Sequence, residues 1–354
     1  MPEKKLEYVL IGLGGIATSK IIPHGFGVGY ERYAGNPHAL LIGVTDVASE
    51  KKAIAEALEL RWFDTAEEAL ESGVKGAYIS TNNLNHAPLA LQAMECGVNP
   101  LVEKPMATKL EDAYELQQTA WRNGLSLGVD HMMVNGETNK KAAALVKDGA
   151  LGPVTDICTH MEFYYGSIPK EAGSWRCSDP DELGGPFGDV LSHCLYMAEF
   201  LAGQHIVSVR AVYDPKTFGL PVEEGGTAFF QFENGLRGLS RVAFNRNRGA
   251  GTLPNLGYEM YGEEGMLRCI GGSFQLSGYK DDPVDVRLEL ERGRKVEIFR
   301  PRANNIYREV VSKHAKSIKD NEPMDGLEGV HNLELVLAAH TSAQNNGVEV
   351  PIGQ

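Results

Sequence analysis

An aspartate and a histidine, Asp189 and His193, stand four residues apart in the segment GGPFGDVLSH, residues 184–193. If a helix begins at Phe187, the two side chains lie about one turn apart on the same face. The imidazole can take the proton of a hydroxyl group near neutral pH, and the carboxylate can orient that hydroxyl or tune the imidazole. A metal site is the weaker interpretation because no third ligand stands nearby, and a histidine packed in the core is the structural alternative. We predict proton transfer, and no metal, at this segment.

A lysine, Lys104, stands in the tripeptide Glu103-Lys104-Pro105, directly after the strand-like residues 100–102. In open α/β sheets, ligands bind beyond the carboxyl ends of the strands. A lysine in such a partly desolvated cleft can donate a proton or hold a substrate hydroxyl, and Pro105 can fix the turn through a cis peptide bond. A turn with no other role is the alternative for this tripeptide taken alone.

Three small residues, Gly12, Gly14 and Ala17, follow the apolar run 6–11 and open a segment with helical character, residues 16–22. Gly12 permits a tight turn, Gly14 lets the backbone approach a pyrophosphate, and Ala17 lets the helix pack closely on the sheet. The helix N-terminus then offers free N–H groups to phosphates. In this strand–turn–helix context the pattern predicts a dinucleotide-binding site, and a glycine turn that only packs tightly is the alternative.

An aspartate, Asp46, ends the second strand-like segment and is the candidate acidic partner of the glycine motif. The separation is longer than the usual ~20 residues, and we interpret residues 23–37 as an inserted, glycine-rich loop. A carboxylate at this position hydrogen-bonds the ribose hydroxyls of NAD and repels the 2′-phosphate of NADP. No arginine follows Asp46, and Lys51 and Lys52 stand further along. The expected cofactor is therefore NAD rather than NADP, with a solvated turn aspartate as the alternative.

The first part of the chain alternates strand-like and helix-like segments, which indicates βαβ units and a parallel sheet with right-handed crossovers. The strand-like segments are 6–11, 40–44, 74–80, 100–102 and 126–129, and the helix-like segments are 16–22, 49–60, 86–96 and 110–123. We therefore predict an α/β Rossmann domain, binding NAD(P), over residues 1–130.

After about residue 150 the pattern changes to successive strands joined by short turns. Asn234-Gly235, between alternating apolar residues, is a hairpin signal. The strand-like segments are 154–165, 206–213, 226–232, 235–244, 258–262, 265–270, 273–277, 284–290 and 295–299, and helices are expected at 305–319 and 327–345. We predict an α+β domain over residues 131–354, with a large, mainly antiparallel sheet, that binds substrate and forms oligomers.

The composition excludes several classes of protein. The chain has 354 residues, of which 43% are hydrophobic and 23% charged, as in a globular protein of about two domains. Its net charge of −13, without a basic stripe, argues against nucleic-acid binding. No apolar run approaches the ~18–20 residues of a membrane helix. Five scattered cysteines and the polar opening MPEKK predict a cytoplasmic protein with reduced thiols and no disulfide framework.

Taken together, the motifs resemble the glucose–fructose oxidoreductase / inositol dehydrogenase (Gfo/Idh/MocA) family. The pattern is strand–GxGxxA, then Glu-Lys-Pro, then GG-x-x-x-D-x-x-x-H, and the resemblance covers essentially the whole chain. The loop STNNLNH at 80–86, the turn GALG at 149–152 and Trp175-Arg176 are similar to family features as well. The resemblance implies NAD(P)-dependent hydride transfer to or from a secondary hydroxyl of a sugar, polyol or glycoside.

The resemblance also assigns roles to particular residues, and it implies that Lys104, Asp189 and His193 carry catalysis. Together with the motifs above, the expected cofactor-binding residues are Gly12, Gly14, Gly15, Ile16, Ala17, Asp46, Thr81, Asn82, Asn85, His86, Glu103 and Lys104. The chain departs from the family pattern at Leu191, where a glycine is frequent, and at Tyr196, where Asp or Asn is frequent. Residues 130–135 also lack the usual arginine and aromatic residue. Because these positions border the substrate in similar proteins, the identity of the sugar stays open.

The expected substrate site comprises Lys104, Asp189 and His193, with further residues around the sugar. The residues expected to line the pocket are His131, Tyr164, Trp175 and Arg176. Trp175 offers a flat apolar face to C–H bonds, and Arg176 offers several donors to hydroxyls. The alternative is that Trp175 lies in the core and Arg176 forms a surface ion pair.

An exposed face of an antiparallel sheet has to be covered, which predicts a homo-dimer or homo-tetramer. Other functions stay open beside the dehydrogenase. They are a ketosugar reductase, a redox glycosidase that retains its NAD, and a non-catalytic NAD-binding regulator. Turnover of an aryl glycoside without added NAD would identify the glycosidase, whereas a regulator is expected to lack the lysine or the histidine that this chain has.

Overall fold

The computed structural model describes residues 4–29, 34–246, 256–272 and 286–353, which fall into two compact units. The first unit comprises Met1–Met132 and Asn305–Leu333, and the second comprises Met133–Asn304 and Glu334–Gln354. The first unit thus combines the N-terminal alternating segments with a segment from near the other end of the chain. The functional division at residue 130 stays a prediction.

A parallel sheet forms the centre of the first unit, and it confirms the predicted Rossmann arrangement. Its strands lie in the order β3-β2-β1-β4-β5-β6, with every pair parallel. The strands are β1 Leu6–Ile11, β2 Ala39–Thr45, β3 Arg61–Trp62, β4 Gly76–Ile79, β5 Asn99–Val102 and β6 Gly128–Val129. All residues of β4 and β5 are buried, as expected for strands covered on both faces of a sheet.

Helices surround this sheet. The α-helices are Lys52–Ala57, Ala66–Leu70, His86–Glu95, Leu110–Asn123 and Ile306–Lys319; the 3₁₀ turns are Ser49–Lys51 and Asn83–Asn85; and a π-helix spans Ala17–Phe26. Ala66–Leu70 and the short strand β3 were not predicted. Ile306–Lys319 packs against Ala17–Phe26, and its N-cap residue Asn305 donates a hydrogen bond to His24 O (2.9 Å).

The prediction that an inserted loop begins at Pro23 was wrong, because residues 23–26 continue the helix Ala17–Phe26. Phe26 packs against Tyr8 and Tyr78, with ring centroids 5.6 and 6.4 Å apart. Burial of this aromatic side chain outweighs the local preference of Pro23 and Gly25 for a turn. Residues 30–33 of the proposed insertion lie outside the described residues.

A second, mostly antiparallel sheet forms the second unit, as predicted. Its strands lie in the order β14-β13-β12-β11-β7-β10-β9-β8-β15. They are β7 Val154–Glu162, β8 Ile206–Tyr213, β9 Gly225–Phe232, β10 Arg237–Ala243, β11 Leu256–Gly262, β12 Met266–Ile270, β13 Arg287–Arg292, β14 Lys295–Phe299 and β15 Val350–Pro351. The pair β7 and β10 is parallel. The predicted strand 273–277, and residues 284–285 of the next one, lie outside the described residues.

Helices cover one face of this second sheet. The α-helices of this unit are Glu137–Lys147, Pro169–Ala172, Trp175–Ser178 and Ser192–Ala202; a 3₁₀ turn spans Met132–Asn135 and a π-turn spans Phe187–Leu191. A further α-helix, Leu327–Gln344, begins in the first unit and continues into the second, which resumes at Glu334. Ser192–Ala202 packs on β7 and β10 and against Glu137–Lys147. The opposite face exposes large apolar side chains such as Val212, Phe229 and Tyr261. Among the described residues, we find no helix with the length and apolar character that crossing a bilayer requires.

Candidate active site

The glycine turn follows β1 and lies against the loop after β4. Gly12 has φ +96°, and a Cβ on it would lie 2.8 Å from the Ser80 carbonyl oxygen, so only glycine fits here. Gly15 is exposed, and a Cβ on it would meet nothing within 4 Å. Ile16 is half-buried and Ala17 is buried. The turn thus presents bare backbone to solvent ahead of a helix N-terminus, which fits the pyrophosphate of a dinucleotide.

Asp46 lies at the carboxyl end of β2 and is tied to the glycine turn. Its Oδ2 accepts hydrogen bonds from Leu13 N (2.7 Å) and Lys51 Nζ (2.8 Å), and its Oδ1 accepts one from Ala48 N (2.9 Å). Burial acts to raise the pKa of Asp46, but Lys51 and the two N–H groups outweigh it and hold that pKa below its usual value. The carboxylate therefore stays ionised beside the turn. The sequence did not reveal that Lys51 reaches Asp46.

The loop after β4 carries four of the residues predicted to bind cofactor. Thr81 and Asn82 are half-buried, and Asn85, which is exposed, donates a hydrogen bond to Asn82 Oδ1 (2.5 Å). His86 is buried, with Nδ1 2.7 Å from Pro105 O and Nε2 3.2 Å from Thr81 O. Burial lowers the pKa of His86 to about 4, against the opposing effect of these carbonyl groups. A neutral His86 therefore joins the loop after β4 to the loop after β5.

Glu103 turns its carboxyl group into the interior of the first unit. The Tyr78 hydroxyl lies 3.2 Å from Glu103 Oε1 and 2.5 Å from Asp130 Oδ2. Burial, together with the closeness of the other carboxyl group, raises the pKa of Glu103, and burial also raises the pKa of Asp130. Two adjacent buried carboxyl groups do not both ionise readily, so one of them keeps a proton. This placement favours a supporting role for Glu103 next to Lys104.

Lys104 is the second residue after β5, and the Lys104–Pro105 peptide bond is cis. His131 is likewise the second residue after the neighbouring strand β6. Burial lowers the pKa of His131 to about 3, with a smaller contribution from the charge of Lys104. His131 is buried and neutral. The structure thus brings together two residues predicted for the substrate site, at the edge of the sheet that also carries the glycine turn.

Asp189 and His193 lie on one continuous helical segment in the second unit, a π-turn followed by the helix Ser192–Ala202. A π-turn is wider than an α-turn, and such turns are frequent at functional sites. Asp189 Oδ2 lies 3.3 Å from Arg176 Nε, and the Arg176 guanidinium lies over the Trp175 ring, 4.4 Å from its centroid. His193 is 7% exposed. Trp175, Arg176 and Asp189 therefore form one cluster, and the ion pair of Arg176 is made with a predicted catalytic residue.

Tyr164 lies just beyond β7, where its ring meets Phe218 edge to face with the centroids 5.3 Å apart. Phe218 belongs to the loop between β8 and β9. This loop carries no motif in the sequence, so neither Phe218 nor Glu223 was predicted. Glu223 accepts a hydrogen bond from Phe187 N (2.9 Å) at the start of the π-turn.

Two family models match the chain. One, described as "Oxidoreductase family, NAD-binding Rossmann fold", matches residues 6–131. The other, described as "GFO/IDH/MocA C-terminal domain", matches residues 139–268.

Curated relatives include the 1,5-anhydro-D-fructose reductase of Ensifer adhaerens, 27% identical over 55% of this chain and 56% of that protein. The levoglucosan dehydrogenase of Pseudarthrobacter phenanthrenivorans is 27% identical over 42% of this chain and 38% of its own length. These alignments thus span about half of the relatives or less. The scyllo-inositol 2-dehydrogenase (NAD(+)) of Bacillus subtilis is 23% identical over 89% of this chain and 90% of its own length.

Two solved structures share the fold over almost the entire chain. The aldose-aldose oxidoreductase of Caulobacter crescentus superposes with a TM-score of 0.84 at 22% identity, over 99% of this chain and 100% of that one. KijD10, a 3-ketoreductase of Actinomadura kijaniata crystallised with NADP, superposes with a TM-score of 0.81 at 19% identity, over 96% of this chain and 98% of that one.

Proposed function

Because the chain belongs to the Gfo/Idh/MocA family of oxidoreductases and has its NAD-binding Rossmann domain, we propose that it transfers hydride between nicotinamide and a secondary hydroxyl or ketone of a sugar, polyol or glycoside. One observation carries the proposal. The glycine turn, the Thr81 loop and Lys104 follow the neighbouring parallel strands β1, β4 and β5. The carboxyl ends of these strands meet at one edge of the sheet, where ligands of open α/β sheets bind.

In the proposed reaction, His193 takes the hydroxyl proton on an imidazole nitrogen while the carbon loses hydride, and it returns that proton in the reverse direction. Lys104 is the proposed assistant in this proton transfer. Asp189 holds the substrate, and the contact with Arg176 keeps its carboxylate oriented. When bound, nicotinamide would supply the hydride chemistry, and the residues of the chain contribute position and proton transfer.

We propose a carbohydrate or polyol as the substrate. Relatives are named as acting on an anhydro sugar, levoglucosan and scyllo-inositol, and His131, Tyr164, Trp175 and Arg176 are the residues we assign to the pocket. Trp175 would pack on C–H bonds, and Arg176 would donate to hydroxyls. Reductases among the relatives favour the ketone-reducing direction as the second candidate.

The proposed cofactor is NAD, on the strength of the ionised Asp46 beside the glycine turn. We also propose a cytoplasmic location, which agrees with the five cysteines all being free thiols. The open face of the second sheet is the proposed contact of a homo-dimer or homo-tetramer.

A substrate screen tests the proposal. Polyols, aldoses and glycosides are offered with NAD and with NADP, ketoses with NADH, and the absorbance of reduced nicotinamide is followed. Turnover of an aryl glycoside without added NAD would instead support the glycosidase.

Lys104→Ala and His193→Ala should each lower the rate of hydride transfer by about 10²-fold or more, because each removes a group that handles the hydroxyl proton. Affinity for NAD, measured by calorimetry, should stay close to that of the parent protein. If both variants keep full activity on the substrate found in the screen, the assignment of these two residues is wrong.

A further inference from the structure

The turn that precedes Asp189 and His193 has an unusual backbone. Leu183 has φ +50° and Gly185 has φ +86°. A non-glycine residue in this left-handed region costs free energy and persists only where its surroundings hold it. The N-cap residue of the following π-turn is Pro186, whose side chain makes no capping hydrogen bond. The helix start therefore needs partners from elsewhere in the chain.

Glu223 supplies such a partner from the loop between β8 and β9. Its Oε1 accepts the Phe187 N–H at 2.9 Å, the first N–H of the π-turn. The helix dipole and the Phe187 N–H favour the ionised form of this carboxyl group, but burial outweighs them and raises the pKa of Glu223 to about 7. The carboxyl group offers an acceptor oxygen to the Phe187 N–H in either protonation state. The same carboxyl group occupies the space that a Cβ on Gly185 would take. Glu223 thus acts as the cap of a helix that lies 36 residues away in the sequence.

The Phe187 ring is fixed by packing, in addition to the hydrogen bond that its N–H group donates to Glu223. It packs against Tyr213 and His340, with ring centroids 5.0 and 5.6 Å apart. A Cβ on Gly226 would lie 2.6 Å from a carbon of the ring, so this glycine makes the room for it. Phe187 therefore cannot shift without disturbing the start of β9.

The loop that carries Glu223 is itself fixed by the next residue. Glu224 is fully buried, and its carboxylate accepts hydrogen bonds from the N–H groups of Thr217 (2.5 Å), Phe218 (2.8 Å) and Leu220 (3.0 Å). These bonds, together with burial, hold the loop in one conformation. The loop therefore holds Glu223 in a fixed position.

On its other side, the turn is packed against the short helix that carries Arg176. A Cβ on Gly184 would lie 2.8 Å from Trp175 O and 3.0 Å from Arg176 O. The Arg176 side chain then reaches Asp189. Asp189 is therefore placed between two anchors, the Arg176 helix on one side and Glu223 on the other.

We propose that Glu223 is a positioning residue for Asp189 and His193, acting through the Phe187 N–H at the start of their helix. The inference rests on the proposed function, which assigns those two residues to catalysis. Small displacements of catalytic groups cost large factors in rate, whereas substrate affinity depends on many other contacts.

The test compares Glu223→Ala with Glu223→Gln in the full chain, because the glutamine keeps an acceptor oxygen in place. Amide hydrogen exchange is measured on the protein without added ligand. Glu223→Ala should speed exchange in residues 187–193, and Glu223→Gln should restore slow exchange. With the polyol or aldose of highest rate in the screen, Glu223→Ala should lower kcat by about tenfold or more. KM should rise by a smaller factor, because Asp189, which holds the substrate, is displaced together with His193. The isotope effect of a substrate deuterated at the reacting carbon should increase.

The matched control is Glu199→Ala, at the far end of the same helical segment. Glu199 Oε1 accepts the Ile206 N–H at 2.7 Å, so its loss should lower the unfolding temperature without altering the isotope effect. Unchanged exchange and unchanged kcat in Glu223→Ala would overturn the positioning role, as would an equal loss of kcat in Glu199→Ala. If Glu223→Ala does not fold, unchanged exchange and kcat in Glu223→Leu, of similar size, overturn it. Full activity in Asp189→Asn and His193→Ala would overturn the proposed function instead.

Discussion

At the scale of single residues, the structure shows contacts of the predicted side chains that their spacing in the sequence does not predict. The sequence identified Asp46 and Lys104 by their places after strands, and both lie there. It did not predict the contact between Lys51 and Asp46 or the pairing of Glu103 with Asp130. Such contacts depend on side-chain directions after folding, so residue order alone does not predict them.

Asp46→Ala should raise the efficiency with NADP relative to NAD by about tenfold or more, because it removes the charge that repels a 2′-phosphate and leaves Lys51 in place. The ratio of kcat/KM for the two cofactors is the measurement. Glu50→Ala is the control, since it removes the same charge from an exposed neighbouring position. An unchanged ratio in Asp46→Ala would show that Asp46 does not select the cofactor.

The two buried carboxyl groups of Glu103 and Asp130 predict that stability depends on pH. Because the pKa of Glu103 is raised by folding, the folded state retains a proton that the unfolded state has lost. The free energy of unfolding should therefore fall as pH rises from about 5 to about 8. Glu103→Gln, which resembles the protonated group, should flatten this slope in denaturant titrations.

Glu297→Gln, at an exposed position of β14, is the control and should leave the slope as it is. A slope in Glu103→Gln equal to that of the parent protein would mean that Glu103 carries no extra proton.

At the scale of elements, local patterns predicted most of the strands and the type of both sheets. Helix Leu110–Asn123 and strands β1, β8 and β14 have the predicted bounds. The sequence predicted only a turn in this region, at residues 149–152, so helix Glu137–Lys147 was not predicted. The parallel pairing of β7 with β10 joins segments far apart in the chain, and turn signals report only on neighbouring strands.

Two substitutions in the glycine turn should separate a loss of stability from a loss of NAD affinity. Gly15→Ala should leave the unfolding temperature nearly unchanged, since the added Cβ meets nothing within 4 Å. It should weaken NAD binding by about tenfold, because the methyl group covers the backbone that approaches the pyrophosphate. Gly12→Ala should lower both the stability and the affinity, because a side chain is strained at φ +96° and its Cβ would lie 2.8 Å from Ser80 O. If NAD binds Gly15→Ala as tightly as the parent, the pyrophosphate does not contact this turn.

At the scale of the whole molecule, the open face of the second sheet combines two kinds of surface. Across β11, β12 and β13 it carries ion pairs, such as Glu259–Arg268 (3.5 Å) and Arg287–Glu289 (2.7 Å). Towards β8 and β9 it exposes Val212 and Phe229, each 47% exposed, beside a groove of about 560 Å³. Exposed apolar patches of this kind mark contacts between proteins.

Phe229→Asp should therefore reduce the molar mass measured by light scattering or sedimentation, because it replaces an apolar ring of the proposed subunit contact by a charged carboxylate. Trp121→Asp, on the exposed face of helix Leu110–Asn123, removes an exposed aromatic residue from the first unit and should leave the mass unchanged. A monomeric parent protein would contradict the prediction directly.

The helix Ile306–Lys319 completes the first unit from near the end of the chain. Its His314 ring lies 2.8 Å from the Tyr8 hydroxyl, and its Tyr307 packs against His24. During synthesis the ribosome must therefore release more than three hundred residues before β1 acquires its full set of neighbours. A truncated chain that ends before Asn305 should leave this unit incomplete, so competence to bind dinucleotide depends on a helix that is synthesised nearly three hundred residues after the glycine fingerprint.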